Sequence, residues 1–190
     1  MCGRYYIAEG DPSEDLQRII TEVKGHLYGD DSIRAGGETR LTDIIPVQAN
    51  LPGPHVYAMR WGYTMLDGKP MFNARSETAA QKPMFRDGMT QLRCIIPASY
   101  CFELEKRGRE RIKYAIRVEE SPTIYMAGIY RKEGSRAACT ILTRKSAAQI
   151  AFIHNRMPVI LPEDAVPDWP NIRYNAADVL RAAKLDVAYG

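Results

Sequence analysis

At 190 residues, 45% hydrophobic and 26% charged, the chain has the size and apolar content of one globular domain, residues 1–190, and makes a second full domain unnecessary. Twenty-six Lys and Arg against 23 Asp and Glu leave a formal charge of +3, too weak a bulk field to diagnose a nucleic-acid partner, so any such binding must rest on a local cluster. No stretch approaches the ~20 apolar residues that cross a bilayer, and the opening MCGRYYIAEGDPSEDL lacks the basic and apolar regions of a secretory leader, so a cytoplasmic protein with no membrane partner is expected.

The first element is a helix. Asp11-Pro12-Ser13-Glu14 offers an N-cap, a proline at the first helical position and an acid at the third, and Leu16, Ile19, Ile20 and Val23 follow at helical spacing. Gly25 to Arg40, rich in Gly, Asp and charge, reads as a loop, and the next ordered stretch surrounds Asp43-Ile44-Ile45-Pro46. Val56 to Tyr63, Arg93 to Glu105, Arg111 to Val118, Thr123 to Arg131 and Ala137 to Thr143 then read as strands, each rich in branched or aromatic residues. Short turns at Arg107-Gly108-Arg109, Glu120-Ser121-Pro122 and Glu133-Gly134-Ser135 imply antiparallel neighbours in a meander that curls into a barrel-like sheet. Short helices are expected near Ser76 to Gln81, Ala147 to Ile153, Pro162 to Asp168 and Ala176 to Lys184, the last capped by Asn175. The fold class is α+β, mostly antiparallel β, with decorating helices.

Four cysteines form no C-x-x-C pair. Cys94, Cys101 and Cys139 lie in strand-like runs, where a buried, inert thiol is the default, so neither structural zinc nor any other cofactor is expected. Cys2 stands apart because of where it sits, directly after Met1. Three further segments carry polar groups among apolar ones: Phe72-Asn73-Ala74-Arg75-Ser76-Glu77-Thr78, His154-Asn155-Arg156-Met157-Pro158, and Arg93-Cys94-Ile95-Ile96-Pro97-Ala98 with Phe102-Glu103 beyond it. Glu103 sits in a run that otherwise reads as a buried strand. His26 and His55 lie in loop-like contexts and are given no role.

These residues resemble the SRAP (SOS-response-associated peptidase) family, also described as abasic-site processing proteins. The opening Met-Cys-Gly-Arg, Asn73 to Thr78 as Asn-Ala-Arg-x-Glu-Thr, His154 to Pro158 as His-x-Arg-Met-Pro, Arg93 to Ala98 with Phe102-Glu103, and Trp61-Gly62-Tyr63 each match a family motif, in order. The resemblance implies that Cys2, freed of Met1, captures the ring-opened aldehyde of an abasic site in single-stranded DNA as a stable thiazolidine cross-link. It implies Asn73 as an orienting group, Glu103 as the acid/base with His154 as its partner, and Arg4, Arg75 and Arg156 as grips on phosphates. No metal or organic cofactor is needed, and a monomer is expected.

The chain departs from the family pattern at three places. Thr64-Met65-Leu66-Asp67-Gly68-Lys69-Pro70 replaces a segment that commonly carries tryptophans, and base stacking on such a ring is worth ~1–3 kcal/mol per base, so single-strand affinity falls unless Tyr63, Met65 or Leu66 substitutes. Asp43 stands where an amide is usual, and Leu104 where a tryptophan is frequent. Two other readings remain: a cysteine peptidase in which Cys2, His154 and Glu103 cleave only peptides, and a non-catalytic DNA-binding module.

Overall fold

The apolar runs of the sequence pair with one another until the outermost meet. The computed structural model describes residues 3–8, 10–26, 33–50, 55–119, 121–183 and 187–190. In chain order it contains β1 (Arg4–Ile7), α1 (Glu14–His26), β2 (Gly37–Arg40), β3 (Ile44–Ala49), β4 (Val56–Trp61), β5 (Tyr63–Thr64), β6 (Pro70–Met71), β7 (Asn73–Arg75), α2 (Pro83–Thr90) and β8 (Arg93–Ala98). It continues with β9 (Tyr100–Arg107), β10 (Glu110–Val118), β11 (Ile124–Glu133), β12 (Arg136–Lys145), β13 (Arg156–Pro158), β14 (Ile160–Leu161), α3 (Ala176–Ala182) and β15 (Val187–Tyr189).

Five strands close into a ring, β12–β4–β3–β8–β11 and back to β12. Closure leaves no long unpaired edge in this part of the molecule. Four of the five contacts are antiparallel, and the turns at 107–109 and 133–135 join antiparallel neighbours as expected, β9 to β10 and β11 to β12; the turn expected at 120–122 instead carries the chain from β10 of one sheet to β11 of another, and β12 runs parallel to β4 and to β7. The meander therefore returns to its own beginning instead of continuing outward. Ile45, Val47, Met59, Trp61, Ile96, Met126 and Ile141 fill the interior, each 1% exposed or less.

Arg93 to Glu105, expected as one strand, is two strands in two sheets. The break falls at Ser99, whose amide donates to the Tyr6 carbonyl at 2.9 Å and whose hydroxyl accepts from the Ala8 amide at 2.8 Å while donating to buried Asp11. These bonds turn the chain into a second sheet of order β15–β10–β9–β1–β2. Its inward residues Tyr5, Ile7, Cys101 and Ile116 are fully buried in the core shared with the ring. β2 lies within the stretch expected as a loop: Glu38 and Thr39 pair with Tyr6 and Tyr5, so a partner strand organises residues whose composition looks irregular. Residues 27–32 of that stretch lie outside the described residues.

The expected first helix is α1, but its cap is Ser13, whose hydroxyl accepts from the Leu16 amide at 3.2 Å; Asp11 instead holds Ser99, and Pro12 precedes the helix. Asn175 caps α3 as expected, accepting from the Ala177 amide at 2.8 Å. The helices expected near 76–81, 147–153 and 162–168 are single 3-10 turns at Ala79–Gln81, Ala148–Ile150 and Glu163–Ala165, because no long apolar stripe is present to reward further turns. No described helix is long and apolar enough to cross a membrane.

Gly128 on β11 shows how tightly the ring packs. A Cβ there would lie 2.3 Å from Ile96 Cδ1, 3.0 Å from Cys94 Sγ and 3.2 Å from the Thr140 carbonyl oxygen. Gly128→Ala is therefore expected to destabilise the fold by about 1–3 kcal/mol, read as a lowered denaturation midpoint with an unchanged slope in urea. An unchanged midpoint would show that the ring yields more readily than this packing implies.

Candidate functional site

The three described cysteines are poor nucleophiles where they stand. Cys94, Cys101 and Cys139 are buried. Burial pushes the Cys94 thiol well up and the Cys139 thiol up to about 12, so thiolate is scarce at neutral pH. Cys2, with Met1, lies outside the described residues. Gly3 is described, and the peptide bond holds the Cys2 Cα within about 3.8 Å of Gly3.

Gly3 opens onto a cavity of about 200 Å³ whose wall also contains Arg4, Phe102, Glu103, Leu104, Lys113 and His154. β1 delivers it there because it is bonded on both edges, Arg4 opposite Arg40 of β2 and Tyr5 opposite Cys101 of β9. Alternation along β9 turns Glu103 to the inner side with Cys101, and the residue is 3% exposed. Burial raises its carboxyl above the ordinary glutamate range, so the neutral acid persists to higher pH than on a surface.

His154 comes from the turn before β13. Its Nδ1 meets both the amide and the carbonyl of Arg156, at 3.0 and 3.2 Å, and these two contacts fix the orientation of the ring. Burial is the first cause that lowers its pKa below the usual histidine value. The cavity thus holds a neutral imidazole and a carboxyl shifted toward neutrality, two groups suited to exchanging protons with a small molecule.

Asn73 and the expected arginines occupy different positions. Asn73, 8% exposed, begins β7 opposite Ile141 of β12 and is not in the wall of this cavity. Arg75, exposed, ends the same strand. Arg156 is half buried by a bidentate pair with Glu77, both contacts at 2.7 Å, and by a 2.6 Å bond to the Thr143 carbonyl. Arg4 donates to Glu38 at 3.0 Å. Lys113, which the motifs do not mark, lines the cavity, bonds Glu38 at 2.6 Å and sets Nζ 3.5 Å from the Phe102 ring centre. Its signal was the alternation of Arg111 and Lys113 along β10, which puts both on the outer face.

The departures resolve unequally. Tyr63 is fully buried, between Phe85 and the Arg131 guanidinium, and so offers no surface to a base. Leu66 is fully exposed at the tip of the β5–β6 hairpin and remains available. The Asp43 carboxylate accepts from the Arg40 amide at 2.9 Å and stands 3.6 Å from Arg34, closing the turn that contains Thr42 at φ 74°. Arg93, 2% exposed, donates to the carbonyls of Asn171 and Tyr174 and lies 5.3 Å from the Trp169 ring, a scaffold role. Among the described residues no group of three or more His, Cys, Asp or Glu is placed to hold a metal ion.

Comparison with known proteins places these features in a wider set. The family described as SOS response associated peptidase (SRAP) matches residues 1–186. The abasic site processing protein YobE of Bacillus subtilis is 37% identical over 124 residues, 62% of this chain and 57% of its own length. The abasic site processing protein YedK of Escherichia coli is 27% identical over 177 residues, 89% of this chain and 79% of its own. The aligned part of this chain spans a little over half the length of the Bacillus relatives. A crystal structure from Bacteroides thetaiotaomicron superposes with a TM-score of 0.77 at 21% identity, covering 99% of this chain and 91% of that one. Another, from Bordetella bronchiseptica, gives 0.75 at 22%, covering 100% and 99%. These two likenesses establish the fold.

The Arg156–Glu77 pair yields a pH-dependent prediction. Its Arg156 bond holds the Glu77 carboxyl below the ordinary range, so the pair stabilises the fold above the unfolded glutamate pKa and loses that contribution as pH falls through the lower folded value. Glu77 is 49% exposed and screened, so a double-mutant cycle of Arg156→Ala and Glu77→Ala is expected to give a coupling of about 0.5–1 kcal/mol at pH 7. That coupling should fade in acid; a value unaltered by acid would refute the ion pair as its source.

Proposed function

The chain belongs to the SOS response associated peptidase (SRAP) family, and from that membership we propose that it processes abasic sites in DNA by covalent capture on Cys2. The observation that carries the reading is the cavity where Gly3, Glu103 and His154 meet, since the residue bonded to Gly3 is Cys2. Removal of Met1 leaves Cys2 with a free α-amine, whose reference pKa of about 7.7–8.0 keeps much more of it unprotonated at neutral pH than a lysine.

The chemistry uses both groups of that residue. An abasic deoxyribose opens to an aldehyde when its ring oxygen takes a proton and its anomeric hydroxyl gives one up, and Glu103, which burial keeps neutral to higher pH than a surface glutamate, supplies the first of these in our reading. The α-amine adds to the aldehyde carbon, and the oxygen departs as water with a second proton, leaving an imine. The Cys2 sulfur then adds to the imine carbon while the nitrogen regains a proton, closing a five-membered thiazolidine. His154, whose burial lowers its pKa and so favours the neutral imidazole, passes protons between these steps. Asn73 orients the opened sugar or the terminus as a neutral amide with donors and an acceptor.

Single-stranded DNA suits a cavity of about 200 Å³, which admits a sugar but no duplex, so the lesion must be displaced from any stack. Arg75 stands exposed for a phosphate, while Arg4 and Arg156 would exchange part of their pairing with Glu38 and Glu77 for phosphate oxygens. β1 and β15, far apart in the sequence, share one sheet, which supports a single domain. Action on DNA fits the cytoplasm and the nucleoid. Lyase activity follows if the imine partitions to strand cleavage before sulfur closes the ring.

Denaturing-gel cross-linking to an oligonucleotide with one abasic site, on protein shown by intact mass to lack Met1, tests the proposal. Wild type is expected to give a shifted band that Cys2→Ala abolishes, with Glu103→Gln slower by about 10²–10⁴-fold. Acetylating the α-amine should abolish the band as well. Peptide cleavage that survives acetylation, with no band from processed wild type, would instead assign the cavity to a cysteine peptidase. The rate should fall as pH rises past the elevated titration of Glu103, and that fall should vanish in Glu103→Gln.

A further inference from the structure

Capture of one sugar leaves the outward face of the second sheet unused. Alternation along β9 sends Tyr100 and Phe102 to that face, and the register sets Tyr6 of β1 beside Tyr100. The Tyr6 and Tyr100 rings stack with centroids 5.1 Å apart and planes 12° apart, and Phe102 meets Tyr100 edge-on at 5.2 Å. From β10, Lys113 stands over Phe102 and the Arg117 guanidinium lies 4.8 Å from the Tyr100 ring centre. Both cations are exposed, and the three rings are only partly buried.

The geometry points to this face as a track for single-stranded nucleic acid that continues from the capture cavity. Arg4, Phe102 and Lys113 belong to both, so a strand leaving the cavity passes onto the sheet without a gap. Arg4 and Arg40 oppose each other on neighbouring strands of the face, and Glu38 is shared among Arg4, Arg40 and Lys113, so positive charge outweighs negative there. This local excess is absent from the +3 of the whole chain. Lys113 and Arg117, four residues apart on a strand, stand about 13 Å apart, the reach of a short run of nucleotides.

The aromatic pattern selects the partner. An acidic protein segment would pair with the cations but has no use for a flat two-ring stack. A base does, because stacking on an aromatic ring or an arginine plane tolerates any sequence while the arginine edges reach phosphate. Such a track would compensate for the buried Tyr63 and the missing rings at 64–70. The proposal rests on the abasic-capture reading for the nature of its ligand.

Fluorescence anisotropy with an undamaged oligothymidylate of ~20 nucleotides, over a salt series, tests it with Tyr100→Leu and Arg117→Gln. Each variant is expected to bind about tenfold more weakly, and Arg117→Gln to lower the salt slope by about 1. Cross-linking of an abasic trinucleotide, which reaches only the cavity, should match wild type. Affinity and slope unchanged in correctly folded Arg117→Gln would overturn the track and give the face to another partner. If wild type makes no covalent product while the affinity losses appear, the capture reading fails and the track stands. Arg117→Gln leaves the ring stack intact, so it decides the matter even if Tyr100→Leu fails to fold.

Discussion

The site depends on β1 being an interior strand. An N-terminal segment is ordinarily among the least restrained parts of a chain. Here Arg4 to Ile7 pairs with β2 on one edge and β9 on the other, and Tyr5 packs beneath at 5.2 Å from the Trp61 ring. Three kinds of contact therefore restrain four residues. A terminal nucleophile needs this, because the effective concentration of a reactive group depends on how narrowly its attachment is held. Trp61 joins the two sheets at this point, with Phe72 edge-on at 6.5 Å and the indole nitrogen donating to the Phe72 carbonyl at 3.3 Å. The Phe72 carbonyl also accepts from the Ile141 amide at 3.1 Å, so the residue before Asn73 is held by the same set of bonds.

β12 plays the corresponding part for the other motifs. Its C-terminal half pairs with β7 on one side and β13 on the other, so Thr143 lies opposite both Arg75 and Pro158. Thr143 accepts at its carbonyl from the Ser76 amide at 2.9 Å and from Arg156 at 2.6 Å. The Asn-Ala-Arg and His-x-Arg-Met-Pro segments, about eighty residues apart in sequence, are thereby tied to one peptide group. Glu77 and Arg156 close the same junction from outside.

What the sequence made legible was chemistry more than topology. The anomaly of a glutamate in a strand was visible because alternation demanded an apolar residue, and the structure puts Glu103 on that inner side. The antiparallel pairs β9–β10 and β11–β12 were legible from their short turns, whereas the equally short connection at 120–122 crosses between sheets, because turn length alone does not say whether the next strand pairs with the last. The parallel contact of β12 with β4 was not, because it joins residues nearly eighty positions apart through no local signal. α2 was missed for a different reason: Gly88 weakens its helical pattern, yet a Cβ there would lie 2.9 Å from Ile129, so packing on β11 sets the residue against helix propensity. Arg93 opens the motif that leads to Glu103 but does not line the cavity. Burial under Trp169 makes it scaffold, a distinction that only three-dimensional neighbours reveal.

The distribution of charge explains why bulk composition is uninformative. Arg4, Arg40 and Lys113 converge on Glu38, Arg156 on Glu77, and Arg131 and Arg60 on Glu133. Each acid holds one or more long basic side chains in place while reducing their net field, so the count of charges falls near balance although the cations gather on particular faces. Glu38 illustrates the consequence. Lys113 bonded to it keeps its carboxyl below the ordinary range, so it stays ionised through any physiological pH and orders three cations without neutralising them. A phosphate reaching that cluster meets bases already positioned and loses only the exposed, screened part of their pairing with the acid, which is the smaller energy.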